Sequence, residues 1–260
     1  MSTPAAVRVW ESHFTLYRTI WRSNVMGAVV QPLLYLLGMG LGVGELVNRN
    51  DSSQRLLEGL TYFEFLAPGL IATTGMMISS QESLWPVLGG FKWQRTFHAQ
   101  AASPLSPGEI TGGLALWQTT RSLISVSGVA LVLAFFPETR TPGLLLAVLF
   151  GGLTGVAFAA PITAWTATRE REGSFPTILR FGIIPLFLFG GAFFPVSQLP
   201  DWMEPIAKVT PLWHGVQLCR NAVHDRLELG DAVVHCGVLL AFATVGWLLS
   251  RRSFAERLAR

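Results

Sequence analysis

The sequence predicts an all-α polytopic membrane protein, one transmembrane domain over residues 1–260 built on six transmembrane helices. Three observations predict it. Charged residues make up 13% of the chain and hydrophobic ones 50%, where a soluble domain carries about 25% charged residues. Six stretches are mostly apolar over the length a bilayer core requires, about 20 residues per helix. The lysines and arginines are also unevenly placed. With both termini inside, eleven fall in the inner flanks and six in the outer ones, leaving Arg121 and Arg180 within spans. That bias sets the orientation by the positive-inside rule.

Composition also excludes several classes. A formal net charge of +3 is too small to argue for a nucleic-acid partner. The two cysteines, Cys219 and Cys236, show neither the pattern of a disulfide framework nor the spacing of a zinc site. Residues 1–23 are interrupted by Glu11, His13, Arg18 and Arg22, so they do not read as a signal peptide.

Instead, residues 1–23 predict an amphipathic interfacial helix. Trp10, Phe14, Tyr17 and Trp21 recur at i, i+4, i+7 and i+11, one face of a helix. Arg18 and Arg22 lie beside that stripe, as suits a helix lying flat at headgroup level. The same stripe also suits packing on the protein's own spans, and both can hold together.

The first span is predicted over 24–44 and the second over 62–84. Overlapping pairs Gly38/Gly42 and Gly40/Gly44, and later Gly151/Gly155, predict close helix packing. Gly89-Gly90 predicts a break, followed by a short helix within 91–103 on which Trp93 and Phe97 lie one turn apart. Such a helix suits docking to another protein, or lying against the membrane. Ser106, Pro107 and Glu109 then form a capping box with proline at the first helical position.

That box opens the third span, 108–136. Arg121 lies within it, about 21 Å along the helix from Pro107 at 1.5 Å per residue. Gln118, Ser122 and Ser125 are predicted to share its face. An intramembrane charge costs a few kcal/mol and faces a cavity or a partner. Two readings stand: a polar patch along a substrate path or subunit seam, or an arginine snorkelling inward from a span that starts below the bilayer. Glu82 is a candidate counter-charge.

Spans four to six are predicted over 143–167, 176–194 and 231–250. Between the last two, residues 195–228 are punctuated by Pro195, Pro200, Pro205 and Pro211, so they cannot form one continuous helix. Trp202 and Trp213 suit an interface. Irregular backbone at membrane depth must be buried in protein or line a watery cavity. The segment is either a lid over the exit of a path or an ordinary outer loop.

Enzymatic motifs are missing. No glycine-rich loop carries a following lysine, so there is no phosphate-binding loop. Neither H-E-x-x-H nor G-x-S-x-G occurs, and the five histidines lack ligand spacing.

Several stretches nevertheless have a familiar look: "QPLLYLLGMGLGVG", "FLAPGLIATTGM", "GFKWQRTFHAQAASPLSPGEI" and "GGAFFPVSQLPDWMEPIAKVTPLWHGVQLCR". With the aromatic N-terminal helix ahead of them, they resemble the type-2 ABC exporter permease family. Within it they look most like the nodulation-factor exporter membrane subunits, and next like daunorubicin-type drug-export permeases. The resemblance implies six spans, a dimer of permeases and two separate cytoplasmic ATPase subunits, with ATP and Mg bound by those partners and no cofactor on this chain. It implies that 85–105 is a coupling helix bearing Trp93, Arg95, Phe97 and His98, with many members acidic at His98's position. It implies a second contact at 168–175, with Arg169, Glu170 and Arg171. The short helices of 195–228 would dip back into the outer leaflet as a re-entrant hairpin, with Phe193, Phe194, Pro195, Trp202 and Trp213 at an outer gate.

Two functions follow as expectations. One is the membrane half of an ATP-driven exporter of an amphipathic or lipid-linked substrate or drug, in the cytoplasmic membrane with both termini inside. The other is a non-conducting scaffold that anchors an ABC ATPase. An intramembrane enzyme is a third reading, and the missing motifs count against it.

Overall fold

The structure is a computed structural model that describes residues 4–49 and 55–259. Arg260, counted above among the inner-flank arginines, lies outside the described residues, as do residues 1–3 of the predicted N-terminal helix. Every regular element among the described residues is helical. They are α1 (Ala5–Tyr35), continued by a π-helical stretch (Leu36–Val43) and α2 (Gly44–Asn48); α3 (Tyr62–Lys92); α4 (Thr96–Ala101); α5 (Pro107–Leu133); α6 (Gly143–Ala167); α7 (Glu172–Phe189, with a π turn at Leu179–Ile183); a 3-10 turn (Val196–Gln198); α8 (Glu204–Val209); α9 (Pro211–Val223); and α10 (Leu229–Leu258).

Among the described residues, four helical segments are long and apolar enough to cross a membrane: Val30–Asn48, α6, α7 and α10. The sequence also predicts spans at 62–84 and 108–136, which fall on α3, 31 residues, and α5, 27 residues; neither is among those four. Both bury most of one side in the bundle and carry serines, threonines and charges there. A helix enclosed by other helices needs less apolar surface than one facing lipid, which is consistent with the more polar composition of these two helices.

α6 is the hub. It packs against α3, α5, α9 and α10, while α1 lies along α5. The small-residue prediction holds at Gly151/Gly155. A Cβ at Gly75 of α3 would collide with the Gly151 carbonyl oxygen, and one at Gly155 would collide with the Ser122 hydroxyl. Of the earlier pairs, only Gly40/Gly44 face a neighbour: a Cβ at Gly40 would stand 3.2 Å from Phe63, whereas Gly38 and Gly42 have open space.

The N-terminal helix corrects one expected boundary. There is no break near residue 23, because α1 runs unbroken from Ala5 to Tyr35. Its aromatic stripe is partly taken by the protein itself. Trp10 Nε1 donates to Thr120 Oγ1 at 2.9 Å, and Val9 and Tyr17 are buried. Leu16, Ile20 and Trp21 face outward. A helix anchored on α5 along one side has no reason to stop where the charges end.

A second correction concerns Gly89-Gly90, through which α3 continues to Lys92. Glycine destabilises a helix interior only mildly, by about 1 kcal/mol, and Gly90 has a compensating role. Its missing side chain leaves room for the ring of Phe97, which a Cβ would strike. The reversal falls later, at Arg95, whose φ of 53° is left-handed. The capping box at Ser106 and Glu109 opens α5 as predicted. α7 ends at Phe189, short of the expected 194, because Gly191 adopts a φ of +85° that glycine takes at least cost. α10 runs eight residues past the predicted end, to Leu258.

The glycine contacts predict opposite outcomes for two similar substitutions. Gly75→Ala should destabilise the protein by about 1–3 kcal/mol, the usual range for overpacking. Gly42→Ala should be neutral, or stabilising by up to about 1 kcal/mol, because a helical glycine gains order without a clash. Thermal unfolding of the detergent-solubilised protein measures both.

Candidate functional site

The first turn of α1 and the last turns of α10 lie at one end of the bundle. The Ala6 carbonyl abuts Gly113 near the start of α5, and the Arg251 side chain borders Gly108. At this end the α3–α4 turn, the α6–α7 connection and the last turns of α10 converge. Phe97 of α4 is buried between Phe91 of α3 and Phe254 of α10, with centroids 4.8 and 5.0 Å away, and Phe91 and Phe254 are 4.7 Å apart. Over this aromatic trio opens a groove of about 760 Å³, lined by Phe91, Lys92, Arg95, His98, Glu170, Arg171, Glu256 and Arg257 among others. Trp93 stands beside it, 55% exposed. Arg169 turns away and stacks on Trp165 at 4.8 Å.

A second feature lies in the bundle interior. Arg121 is 4% exposed. Its guanidinium donates to Glu82 Oε1 at 3.2 Å, Ser125 Oγ at 3.2 Å and Asn24 Oδ1 at 3.0 Å. The Tyr17 ring lies 4.8 Å from it. One side chain thus joins α5 to α3 and α1. Beside it opens a cleft of about 310 Å³ whose polar lining includes Asn24, Gln31, Thr73, Thr74, Gln81 and Glu82. Leu70, Met77, Ile78, Tyr35 and Phe187 supply its apolar lining, with Leu70, Met77 and Ile78 on the same α3 face as Thr73, Thr74 and Gln81.

At the opposite end, α7 stops at the Gly190-Gly191 turn and the chain folds back through α8 and α9. α9 is packed on α6 and α3, with Leu212, Val216, Leu218 and Cys219 fully enclosed. Phe193 sits 5.8 Å from Tyr35 and 5.0 Å from Phe187, the two aromatics of the cleft wall. Arg220 reaches inward, and among the described residues no carboxylate lies within bonding distance of it. It donates to the Phe65 carbonyl at 3.2 Å, the Gly191 carbonyl at 2.8 Å and Gln217 Oε1 at 3.0 Å. Its guanidinium lies over the Phe65 ring at 3.6 Å. It therefore ties α9 to the start of α3 and to the turn after α7.

Comparison with known proteins decides the family. Residues 7–223 match the ABC-2 type transporter family. The chain belongs to the ABC-2 type transporter family. It is 31% identical over 252 residues to Nodulation protein J of Rhizobium leguminosarum bv. viciae, covering 97% of this chain and 94% of the relative. To Nodulation protein J of Rhizobium meliloti (strain 1021) it is 29% identical over 256 residues, 97% and 93% covered. To the inner membrane transport permease YadH of Escherichia coli (strain K12) it is 21% identical over 243 residues, 93% and 91% covered.

As an ABC-2 permease, the chain is an integral membrane component of an ABC transporter, and the family implies an ATPase partner. The residues singled out from sequence are distributed unevenly over this fold. Arg95, His98, Glu170 and Arg171 meet at the groove, and Trp93 flanks it. Phe97 does not offer itself to a partner, because it is an interior side chain of the permease; Trp93 ends α3 while Phe97 begins the next helix beyond the Arg95 turn. Arg121 lines the cleft and Ser125 holds it, but Gln118 and Ser122 are turned elsewhere. Gln118 donates to Ser83 Oγ and Thr163 Oγ1 at 3.1 and 2.8 Å, in the seam of α3 and α6. All four are buried because α5 is covered on more than one side, so a shared helical face does not mean a shared cavity. Arg121 is paired within the bundle and does not snorkel.

At the other end Phe193 meets the cleft aromatics and Phe194 packs 6.2 Å from Phe189. Pro195 and Trp213 border a hollow of about 290 Å³ that Arg220 also lines. Trp202 stands apart, 68% exposed. Sequence reasoning missed Phe91, Phe254, Arg257, Tyr35, Phe187 and Arg220. Phe254 left a signal, as the one aromatic in the charged run after residue 250. Arg220 left none, since an arginine in an outer flank reads as solvated.

The Arg121–Glu82 pair predicts a non-additive mutant cycle. Arg121→Met or Glu82→Leu alone strands a partner and should cost about 3–5 kcal/mol, whereas the double replacement should be close to neutral. Thermal unfolding of the three variants, compared as a cycle, checks this.

Proposed function

We propose that this chain is the transmembrane permease subunit of an ATP-driven exporter. It carries an amphipathic or lipid-linked substrate, or a drug, outward across the cytoplasmic membrane. ATP and Mg are bound by two cytoplasmic ATPase subunits, and the permease works as a pair of copies, a homodimer. Six spans, α1–α2, α3, α5, α6, α7 and α10, cross the bilayer with both termini inside, and residues 195–228 re-enter the outer leaflet. The observation that carries this reading is the groove. Two connections far apart in sequence, 93–95 and 168–171, converge on one hollow with Lys92, Arg95, Arg171 and Arg257 in its lining. It lies at the end that holds the first turn of α1, the last turns of α10 and most of the inner-flank arginines. An ATPase seated there touches both connections at once.

The cleft supports the transport half of the reading. A lining that is polar at the Arg121, Glu82 and Asn24 end and apolar at the Leu70, Tyr35 and Phe187 end suits a substrate with a polar head and an apolar tail. Its outer limit is the Tyr35, Phe187 and Phe193 cluster, so movement of the re-entrant segment would open the cleft outward. Relatives named Nodulation protein J and the transport permease YadH are consistent with this role. One observation favours the scaffold alternative: the donors of Arg121 are already satisfied within the chain, as in a purely structural pair.

Docking is tested by exposed residues. Trp93→Ala combined with Lys92→Glu and Arg95→Glu should leave thermal stability within about 0.5 kcal/mol. Loss of the tryptophan alone should weaken ATPase binding about thirtyfold, at about 2 kcal/mol for a truncated aromatic anchor and 1.4 kcal/mol per tenfold. Phe97→Ala should instead destabilise the permease itself by about 3–5 kcal/mol. Unchanged co-purification of the cognate ATPase with the triple variant would sink the docking assignment. For transport, ATP hydrolysis by the reconstituted complex is titrated with amphipathic compounds and lipids. Stimulation by one of them, blunted by Arg121→Met, supports the exporter; hydrolysis indifferent to all of them supports the scaffold.

A further inference from the structure

The last turn of α10 lies outside every motif the sequence suggested, yet it touches both connections of the groove. Arg257 Nη1 donates to the Ala167 carbonyl at 2.9 Å and the Thr166 carbonyl at 3.3 Å. These are the last residues of α6, where the helix dipole is negative; the Thr166 carbonyl also accepts from the Arg169 N–H at 2.9 Å. The same guanidinium lies 4.2 Å from the centre of the Phe91 ring, two residues ahead of Trp93. One turn earlier, Phe254 closes the Phe91–Phe97 pair. The neighbouring charges do not share this role. Arg252 pairs with Glu256 at 2.9 Å on an exposed face, and Arg251 stacks on Trp247 at 4.9 Å.

A planar guanidinium can donate in its plane to two carbonyls while its face rests on a ring, and a lysine ammonium cannot do both. We propose that Arg257 is a positioning residue for coupling. By clamping the end of α6 and the end of α3 onto α10, it makes the two ATPase contacts and the last span one mechanical unit. Movement imposed on either connection then reaches α10 and α6, and through α6 the cleft helix α3. Without the clamp, the ATPase still finds its surface, but its closure is absorbed locally. This inference rests on the exporter reading given above.

The test uses the full-length permease with its ATPase in proteoliposomes. Cys219 and Cys236 are replaced by alanine, and Met77→Cys in the cleft wall serves as the labelling position. The readout is the ratio of maleimide labelling rates with and without ATP. Three variants are compared with this parent: Arg257→Met, Arg257→Lys and the exposed control Arg252→Met. The ATP-dependent ratio should fall about tenfold toward unity in Arg257→Met, within the range of ordinary coupling energies. Because Arg257 also lines the docking groove, the ratio is read per ATPase retained by each variant. Arg257→Lys, which keeps the charge at the helix end and so guards against misfolding, should fall between, and Arg252→Met should match the parent. A merely structural arginine would lower thermal stability without altering the ratio in the folded fraction. If Arg257→Met keeps the parental ratio, or loses the ATPase altogether, the clamp is wrong while the docking groove stands. A parent with no ATP-dependent change overturns the exporter reading and this inference together.

Discussion

A guanidinium inside a helix bundle must find partners there, and the architecture around Arg121 follows from that requirement. Its donors reach α3 through Glu82, α1 through Asn24 and its own helix through Ser125. Three helices are therefore held at a distance that polar side chains span, while α6 draws α3 in to glycine contact on the other side. The cleft is the space left between the two spacings. Burying a charge pair adds little net stability compared with an apolar core, so what it contributes is geometry: a polar end of the cleft held at fixed depth.

The two ends of the bundle solve different problems with similar residues. At the end with the last turns of α10, Phe91, Phe97 and Phe254 lock three segments together, and charges surround the groove above them. At the other end, Tyr35, Phe187 and Phe193 close the cleft from elements that meet only there. The first cluster joins helices end to end within a rigid corner. The second bridges α1, the wide-turned α7 and the turn after Gly190, where π-helical stretches and a glycine break the regular ladder. Irregular helical turns gather at functional sites, and here they gather next to the cleft. Arg220 anchors α9 by bonding to main-chain carbonyls of α3 and the Gly191 turn.

Much of this was legible in the chain. The capping box at Ser106, the bounds of α6, the glycine contact at Gly151 and Gly155, and Glu82 as the partner of Arg121 all follow from local chemistry or helical spacing. Other features were misread for identifiable reasons. Gly89-Gly90 has the look of a breaker, but a glycine that seats a ring resembles one that ends a helix. Phe97 beside Trp93 suggested a pair of docking aromatics, because spacing says nothing about a left-handed turn at Arg95 between them. Gln118 and Arg121 share a stripe, yet they serve different seams because α5 is enclosed on more than one side.

Sequence by itself determined the membrane-protein class, the helical content, the family, and the approximate helices, since apolar length, capping chemistry and motif order are properties of short stretches. Tertiary structure alone decided which aromatics are interior and which are exposed, which polar residues share a cavity, and that Arg257 and Arg220 are bound inside the fold. The physical reason is that burial and pairing depend on what a second helix brings to the same place. Residues 91, 97 and 254 meet only after three separate helices have been assembled around α6, and no local pattern encodes that meeting.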